Sequence, residues 1–224
     1  MWYAEIKKAY IKKAIDRCQR TVTYAVLPVC RTVSTEAMQV LLRELPWHLQ
    51  SVERGIIYSI KKNKPFPPNK YISEDELQGA SLNLKRTIIR EKLGRIWCEN
   101  WAQSEKGRIT HSFIPDPRQI KNKDFYSPCL EELFLLTGHG SMNAYLFDKN
   151  LCNTPECDCG SSREDWRHIL FECSYYDDLR NWNTFEVTPR NPSNFFNNGA
   201  LYEKLKAFSI KAFERRKSRI VNNT

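Results

Sequence analysis

The chain has 224 residues, a formal net charge of +9 and 41% hydrophobic residues. Its length suffices for one large domain or two small ones with a buried core. No apolar run approaches the ~20 residues that span a membrane, and the N-terminus lacks the apolar stretch of a signal peptide. We therefore expect a soluble, intracellular protein with no membrane partner, and the positive charge favours a polyanionic partner such as nucleic acid.

Helical periodicity dominates residues 1–63. Residues 2–27 are predicted to form a long helix, because apolar residues recur every four positions and would form one face. The members of that face are Ile6, Tyr10, Ala14, Cys18 and Val22. A second helix is expected to start at Ser34 or Thr35, and a third to follow Pro46 up to about Lys62.

A linker is predicted at 64–72, because this stretch is too rich in proline for regular structure. A further helical region, 73–150, follows it. Ser73 and Glu76 have the spacing of a capping box, so the clearest helix is expected to run from Ser73 to about Gln103.

Three shorter elements complete this helical region. The stretch "RITHSFIPDP" alternates enough to indicate a short strand or an extended segment. Residues 128–137 and 141–149 are predicted to form two short helices around the turn "TGHG". This turn lacks the spacing and the lysine of a phosphate-binding loop, so it indicates no nucleotide site.

A cluster of thiols and one histidine lies in the predicted module 151–182. The spacing is Cys157-x-Cys159, then eight residues to His168, then four residues to Cys173. Zinc binds four such ligands at tetrahedral corners, and an intracellular cysteine cluster favours metal over disulfides. We predict a structural zinc site, since four protein ligands leave no position for an activated water.

Two alternatives to this ligand set remain open. Cys152 could replace Cys157 or Cys159, because a Cys-x-Cys pair is tighter than the usual gap of two to four residues. The cluster could also be a set of free cysteines on a helical surface. The His-x4-Cys half resembles a retroviral zinc knuckle, whereas the first half departs from it.

The tetrad Tyr175-Tyr176-Asp177-Asp178 imitates the Tyr-x-Asp-Asp of a polymerase. A polymerase places this motif in a hairpin between apolar strands, and it needs a third aspartate from an earlier strand. The residues after the tetrad have helical spacing instead. We interpret Asp177 and Asp178 as solvated residues on a helix, and we assign no catalytic residue.

The last region, 183–224, is predicted to be a loop and a basic helix. One side of that helix carries Leu201, Leu205, Phe208, Ala212 and Phe213. Basic residues of the first and last helices are candidates for contacts with nucleic-acid phosphates: Lys7, Lys8, Lys12, Lys13, Arg215, Arg216, Lys217 and Arg219. Solvated helix faces are the alternative for each of them.

Four stretches, in order, resemble one family. They are "RTVSTEAMQVLLRELP" (Arg31–Pro46), "WAQSEKGRITHSFIPD" (Trp101–Asp116), "LTGHGSMNAYLFDKNL" (Leu136–Leu151) and "CDCGSSREDWRHILFECSYYDDLR" (Cys157–Arg180). The ordered set is similar to the region after the reverse transcriptase domain in arthropod non-LTR retrotransposon polyproteins. The similarity is greatest to the type-1 elements that insert into ribosomal RNA genes of insects.

The resemblance implies a C-terminal region whose parent polyprotein carries an endonuclease and a magnesium-dependent RNA-directed DNA polymerase. It implies that Cys157, Cys159, His168 and Cys173 are the family's Cys-Cys-His-Cys motif. The polymerase and endonuclease catalytic residues have no counterpart here. Expected partners are RNA or DNA and the reverse transcriptase domain of the same polyprotein, in the nucleus at the site of integration.

The sequence as a whole predicts a mostly α fold with a small zinc-stapled Cys-Cys-His-Cys module near the C-terminus. The first functional hypothesis is a module that grips template RNA or target DNA. The second is an enzyme that itself polymerises or cleaves nucleic acid. The others are a structural scaffold within the polyprotein and a stand-alone zinc-dependent nucleic-acid-binding protein.

Overall fold

The computed structural model describes residues 9–66, 69–183 and 185–222, with the backbone alone for 219–222. The α-helices in these ranges are α1 (Ala9–Val26), α2 (Thr35–Leu41), α3 (Trp47–Lys61), α4 (Leu82–Gln103), α5 (Arg108–Phe113), α6 (Arg118–Lys121), α7 (Leu130–Thr137), α8 (Asn143–Asp148) and α9 (Gly199–Asn222). Short 3-10 helices cover Asp75–Leu77, Ser174–Leu179 and Pro192–Phe196, and a π-helical turn covers His168–Glu172. The described ranges contain no β-strand, so the predicted mostly α fold is confirmed.

The chain divides into two compact units. The first contains the described residues up to 27 together with 38–104, and the second contains 28–37 together with those from 105 onward. The described part of the predicted linker, 64–72, has neither helix nor strand. The finer division of the sequence stays a prediction: 1–63, 64–72, 73–150, 151–182 and 183–224. Within the described part of the chain, no helix is long and apolar enough to cross a membrane.

In the first unit, α1 buries polar residues, which corrects the apolar face predicted for it. Gln19 is 2% exposed, whereas Tyr10 and Val22 are 67% and 50% exposed. Gln19 Oε1 accepts hydrogen bonds from Gln39 Nε2 at 2.8 Å and from the Trp47 backbone N–H at 3.0 Å. The other predicted members of the face are exposed (Ala14, Cys18) or lie outside the described residues (Ile6). A four-residue period identifies an apolar stripe, but it does not show which stripe the neighbouring helices cover.

The long helix of the first unit, α4, begins later than predicted. The backbone N–H and the Oγ of Ser73 both donate to Glu76 Oε1, at 3.1 and 3.0 Å, so the predicted capping pair forms. It closes only a single 3-10 turn, because Gly79 follows with a φ of +68°. That left-handed conformation suits glycine and interrupts the helix. Ser81 then caps α4 by accepting from the Leu84 N–H at 3.3 Å.

In the second unit, the predicted strand at "RITHSFIPDP" is wrong. Residues 108–113 form α5, and its buried residues Thr110 and Phe113 are one helical turn apart. Ile114 leaves the helix with a φ of −130°, because the residue before Pro115 is disfavoured in the α region. In a six-residue element the pattern of apolar residues is too short to distinguish a helix from a strand.

The C-terminal helix α9 packs against several other elements of the second unit. Its predicted core residues are all buried: Leu201, Leu205, Phe208, Ala212 and Phe213. The Phe213 ring meets Phe134 of α7 edge-on, with centroids 5.2 Å apart. Phe208 makes similar contacts with Trp182 at 5.1 Å and Tyr176 at 6.2 Å. The segment that carries the cysteine cluster is thus packed onto α9.

Candidate metal centre

Four predicted ligands meet in one place. The ligand atoms of Cys157, Cys159, His168 and Cys173 all lie within 4.8 Å of one another. Cys157 Sγ is 3.6 Å from Cys173 Sγ, and Cys159 Sγ is 3.2 Å from His168 Nε2. Tetrahedral zinc with bonds of about 2.0–2.3 Å places its ligand atoms roughly 3.3–3.8 Å apart, close to both of these distances. The cluster therefore fits a metal ion with four protein ligands.

The first ligand pair is held by a tight turn. The Gly160 N–H donates to the Cys157 carbonyl at 2.9 Å, and the Cys157 N–H donates to the Ser161 carbonyl at 2.9 Å. Gly160 has a φ of +93°, in the region that residues with a side chain rarely adopt. The turn directs both thiols of the Cys-x-Cys pair to the same side.

The second ligand pair is brought together by the π-helical turn. The Cys173 N–H donates to the His168 carbonyl at 2.8 Å, a bond between residues five apart. In an α-helix the bond joins residues four apart, so a five-residue spacing would rotate the two side chains away from each other. Asp165 Oδ1 caps the start of this segment by accepting from the N–H groups of Arg167 and His168, both at 3.0 Å.

Side chains outside the ligand set complete the centre. His168 Nδ1 lies 3.7 Å from a Glu172 carboxylate oxygen, which leaves Nε2 directed at the thiols. An imidazole that binds a metal through one nitrogen usually faces a carboxylate with the other. Arg180 donates to the carbonyls of Leu170 at 2.9 Å and Cys173 at 2.7 Å, so it satisfies backbone acceptors left free where the ligand helix ends.

A buried ion pair links the centre to α9. Arg216 is 3% exposed and Glu164 is 1% exposed, and their charged groups are 3.1 Å apart. Glu164 also accepts from the Asn143 N–H at 3.0 Å, and Arg216 donates to the Asn143 side chain at 2.6 Å. Glu164 Oε1 lies 3.8 Å from Cys157 Sγ. No local sequence pattern indicates this arrangement, because its partners are up to 73 positions apart.

The electrostatics of the thiols favour a cation among them. Burial raises the pKa of Cys157 and of Cys173 above that of an ordinary cysteine. Thiolates at these positions therefore need a positive charge in contact with them. A metal ion held by three thiolates and one imidazole would supply that charge, and four protein ligands would close its coordination sphere.

The alternative ligand Cys152 lies apart from this cluster. Its Sγ is 3.2 Å from the Thr154 carbonyl and 3.5 Å from the Asn143 carbonyl. The four ligand atoms that converge in the described residues do not include it. The structure therefore favours Cys157 and Cys159 as the first ligand pair.

The tetrad that imitates a polymerase motif lies in a 3-10 helix, Ser174–Leu179, and not in a strand hairpin. Asp177 pairs with Arg180, and Asp178 accepts two hydrogen bonds of 2.7 Å from Arg215. Both carboxylates thus form ion pairs at the surface, which supports the interpretation that they are helical surface residues.

The predicted phosphate-contacting residues differ in availability. Lys13 and Lys217 are exposed, and Lys12 is exposed but pairs with Asp16 at 2.8 Å. The structure corrects the prediction that Arg216 contacts phosphates, because its guanidinium is buried in the ion pair with Glu164 and is not available to a phosphate. Arg215 is half-buried and holds Asp178. The side chains of the others lie outside the described residues: Lys7, Lys8 and Arg219.

Comparison with known proteins finds relatives over nearly the whole chain. A retrovirus-related Pol polyprotein from the type-1 retrotransposable element R1 of Bradysia coprophila is 41% identical over 221 residues, 96% of this chain and 22% of that relative. The Pol polyproteins of the elements R1 2 and R1 3 of Nasonia vitripennis are 36% and 34% identical, over 97% and 84% of this chain. The matches span 54% and 50% of those two relatives. No protein-family model and no solved structure matches.

These matches make the chain a homologue of retrotransposon Pol polyproteins. More narrowly, it matches a C-terminal fragment of the Pol polyprotein of an R1 non-LTR retrotransposon. The chain spans between about a fifth and about a half of the relatives described above. The resemblance carried by the four sequence stretches is confirmed.

Proposed function

We propose that the chain is a zinc-stapled, nucleic-acid-binding region of an R1 Pol polyprotein that holds template RNA or target DNA during target-primed reverse transcription. The observation that carries the proposal is a cluster of three cysteines and one histidine that could hold a metal ion, in a basic helical protein homologous to Pol polyproteins. A closed centre stabilises a fold and does not activate water. Polymerisation and target cleavage, with their magnesium ions, would belong to other parts of the polyprotein.

Zinc is the metal that this donor set favours. Thiolates are soft ligands and imidazole is borderline, and a tetrahedral set of both is typical of structural zinc. The partners under this proposal are RNA or DNA and the reverse transcriptase domain of the same polyprotein. The place of action would be the nucleus, at the site of integration.

The test is binding of labelled single-stranded RNA and of duplex DNA, followed by fluorescence anisotropy as salt rises. Contacts between lysines and phosphates release counterions, so affinity should fall steeply with salt. Lys217→Ala should reduce the slope of log affinity against log salt by about 0.7–0.9, as expected for one lost phosphate contact. Ser218→Ala, an exposed and uncharged neighbour, is the matched control and should leave the slope unchanged.

A structural scaffold is the second candidate, and the internal pairing of two basic residues favours it. Arg215 and Arg216 hold Asp178 and Glu164, so part of the positive charge of α9 serves the fold. A scaffold predicts no binding of either nucleic acid at moderate salt, and that result would overturn the first proposal.

A further inference from the structure

We propose that a cleft beside the metal centre binds one unpaired nucleobase of a single-stranded nucleic acid. This inference deepens the proposed nucleic-acid-binding function and rests on it for the biological ligand. The cleft has a volume of about 270 Å3 and lies wholly within the second unit, between α5, α8 and residues 163–166. Those residues lead directly into ligand His168, so the metal centre fixes one wall of the cleft.

Apolar and aromatic side chains line the interior of the cleft. Ile109, Met142 and Ala144 supply aliphatic surface, and Tyr145 and Trp166 supply rings. Planar heterocycles stack on such rings, and base–aromatic stacking tolerates any base.

Both rings are held in place by neighbouring residues. The Tyr145 hydroxyl is 2.7 Å from Thr32 Oγ1. The Trp166 ring packs edge-on against Phe113, with centroids 5.1 Å apart, and is 8% exposed. Rings that are already ordered lose little conformational entropy when a ligand arrives, so the cleft is pre-organised for stacking.

The polar lining fits a neutral heterocycle better than a bare phosphate. Asp148 and Asp165 supply two carboxylates, and Lys149 and Arg163 supply two cations, so the formal charges cancel. A further side chain of the lining, His139, adds an imidazole. Arg163 also pairs with Asp148 at 2.7 Å. A nucleobase edge presents donors and acceptors side by side, and this lining presents both.

The size and the rim of the cleft fit one base with its backbone outside. Sites for drug-sized ligands have volumes of about 300–1,000 Å3. The cleft, at 270 Å3, is just below that range, so it suits a single ring system and excludes two stacked nucleotides. Arg167, an exposed cation that does not line the cleft, adds positive charge at the rim for a flanking phosphate. The guanidinium of Arg167 is 5.6 Å from the centroid of the Trp166 ring.

The first test uses mononucleotides and methyl NMR of the full chain. The probes are the methyl groups of Ile109, Met142 and Ala144, titrated with AMP, GMP, CMP or UMP. We expect saturable shifts at these methyls with nucleotides, and none with ribose 5-phosphate, which carries the same phosphate without a base. Equal shifts with ribose 5-phosphate, or no shifts with any nucleotide, would overturn the proposal.

The second test compares the affinities of two oligonucleotides whose bases do not stack on one another. The two differ only at the central residue, which carries a base in one and is abasic in the other. Loss of one stacked base should weaken binding about 5- to 150-fold. Tyr145→Ala should remove most of that difference, whereas Tyr145→Phe should keep it, because the ring remains. Phe185→Ala is the control, since Phe185 is an aromatic residue of the same unit that is 93% exposed and does not line the cleft.

A third variant covers the case that Tyr145→Ala fails to fold. Arg163→Glu changes an exposed residue at the rim, and Lys211→Glu changes an exposed residue of α9 by the same charge. Only Arg163→Glu should weaken the nucleotide-induced shifts at the cleft methyls, and equal effects of both variants would contradict the site.

The two proposals fail in different ways. Salt-sensitive binding of RNA without any shift at the cleft methyls would reject the cleft and retain the proposed function. Nucleotide shifts in the cleft without binding of any longer strand would retain the cleft and reject the proposed function.

Discussion

The ion pair between Arg216 and Glu164 joins the metal centre to α9, and it is inaccessible to water. The exposed fractions of the two side chains are 4% and 1%. A buried pair contributes little compared with apolar residues of similar volume, but loss of one partner leaves an unpaired charge in the interior. The role of Arg216 in this structure is therefore to neutralise Glu164 and to anchor the segment that carries Cys157.

The first prediction concerns this pair. Arg216→Met should destabilise the protein by about 3–5 kcal/mol, because the Glu164 carboxylate would remain buried without the guanidinium that neutralises its charge. The measurement is the free energy of unfolding in urea. Lys217→Met, the change at the next and exposed position, should alter it by less than about 0.5 kcal/mol. A loss in Arg216→Met no larger than in this control would contradict the assigned role.

Glu132 is a second buried carboxylate, and no basic side chain among the described residues donates a hydrogen bond to it. Tyr202 Oη donates to its Oε2 at 3.1 Å, whereas Oε1 has no hydrogen-bond partner among the described residues. Burial raises the pKa of Glu132 to about 8, from an ordinary value of 4.5. The folded protein therefore holds a proton at this position that the unfolded chain releases.

The second prediction follows from the sign of this pKa shift. A raised pKa in the folded state stabilises the protein below about pH 4.5, and this contribution is lost as the pH rises to about 8. Across that window stability should fall by roughly 1.4 kcal/mol per pH unit from this group. Glu132→Gln should flatten the unfolding free energy between pH 5 and about 8 and should stabilise the protein at pH 8. An unchanged pH profile would show that Glu132 titrates normally.

The helix α1 shows why an apolar stripe in a sequence does not define the buried face. Its stripe faces solvent, while Gln19 lies in the interior and joins α1 to α2 and α3 through Gln39 and Trp47. One glutamine carbonyl thus satisfies two donors, and the packing of three helices depends on a polar contact that no hydrophobic pattern reveals.

The third prediction tests this orientation of α1. Gln19→Ala should cost about 1–3 kcal/mol, because it leaves two donors without their acceptor. Val22→Ser should change stability by less than about 0.5 kcal/mol, since Val22 is 50% exposed. Thermal unfolding of both variants is the measurement. The reverse order of the two effects would support the face predicted from the sequence.

The ligand set was predictable because thiols and an imidazole at short spacings have few other roles. The geometry that joins them was not. The ligand spacing alone does not indicate the π-type bond that joins Cys173 to His168. The roles of Arg180, Glu164 and Arg216 depend on contacts distant in sequence, which single-residue patterns do not contain.

The two compact units divide the chain into parts with different evidence for function. The metal centre, the aromatic cleft and the buried ion pair all lie in the second unit. The candidate residues for phosphate contacts in the first unit are the exposed lysines of α1, Lys12 and Lys13. The matched relatives are longer than this chain, which spans between about a fifth and about a half of them.

The metal content of the purified chain, by elemental analysis beside protein quantification, tests the central claim most directly. We predict about one zinc per chain, the loss of that zinc in Cys173→Ser, and its retention in Cys152→Ser. Cys152 is the matched control, since it is a free cysteine of the same segment whose sulfur lies outside the ligand cluster. Zinc at full stoichiometry in Cys173→Ser, or a wild-type chain purified and refolded with zinc that holds none, would contradict the account.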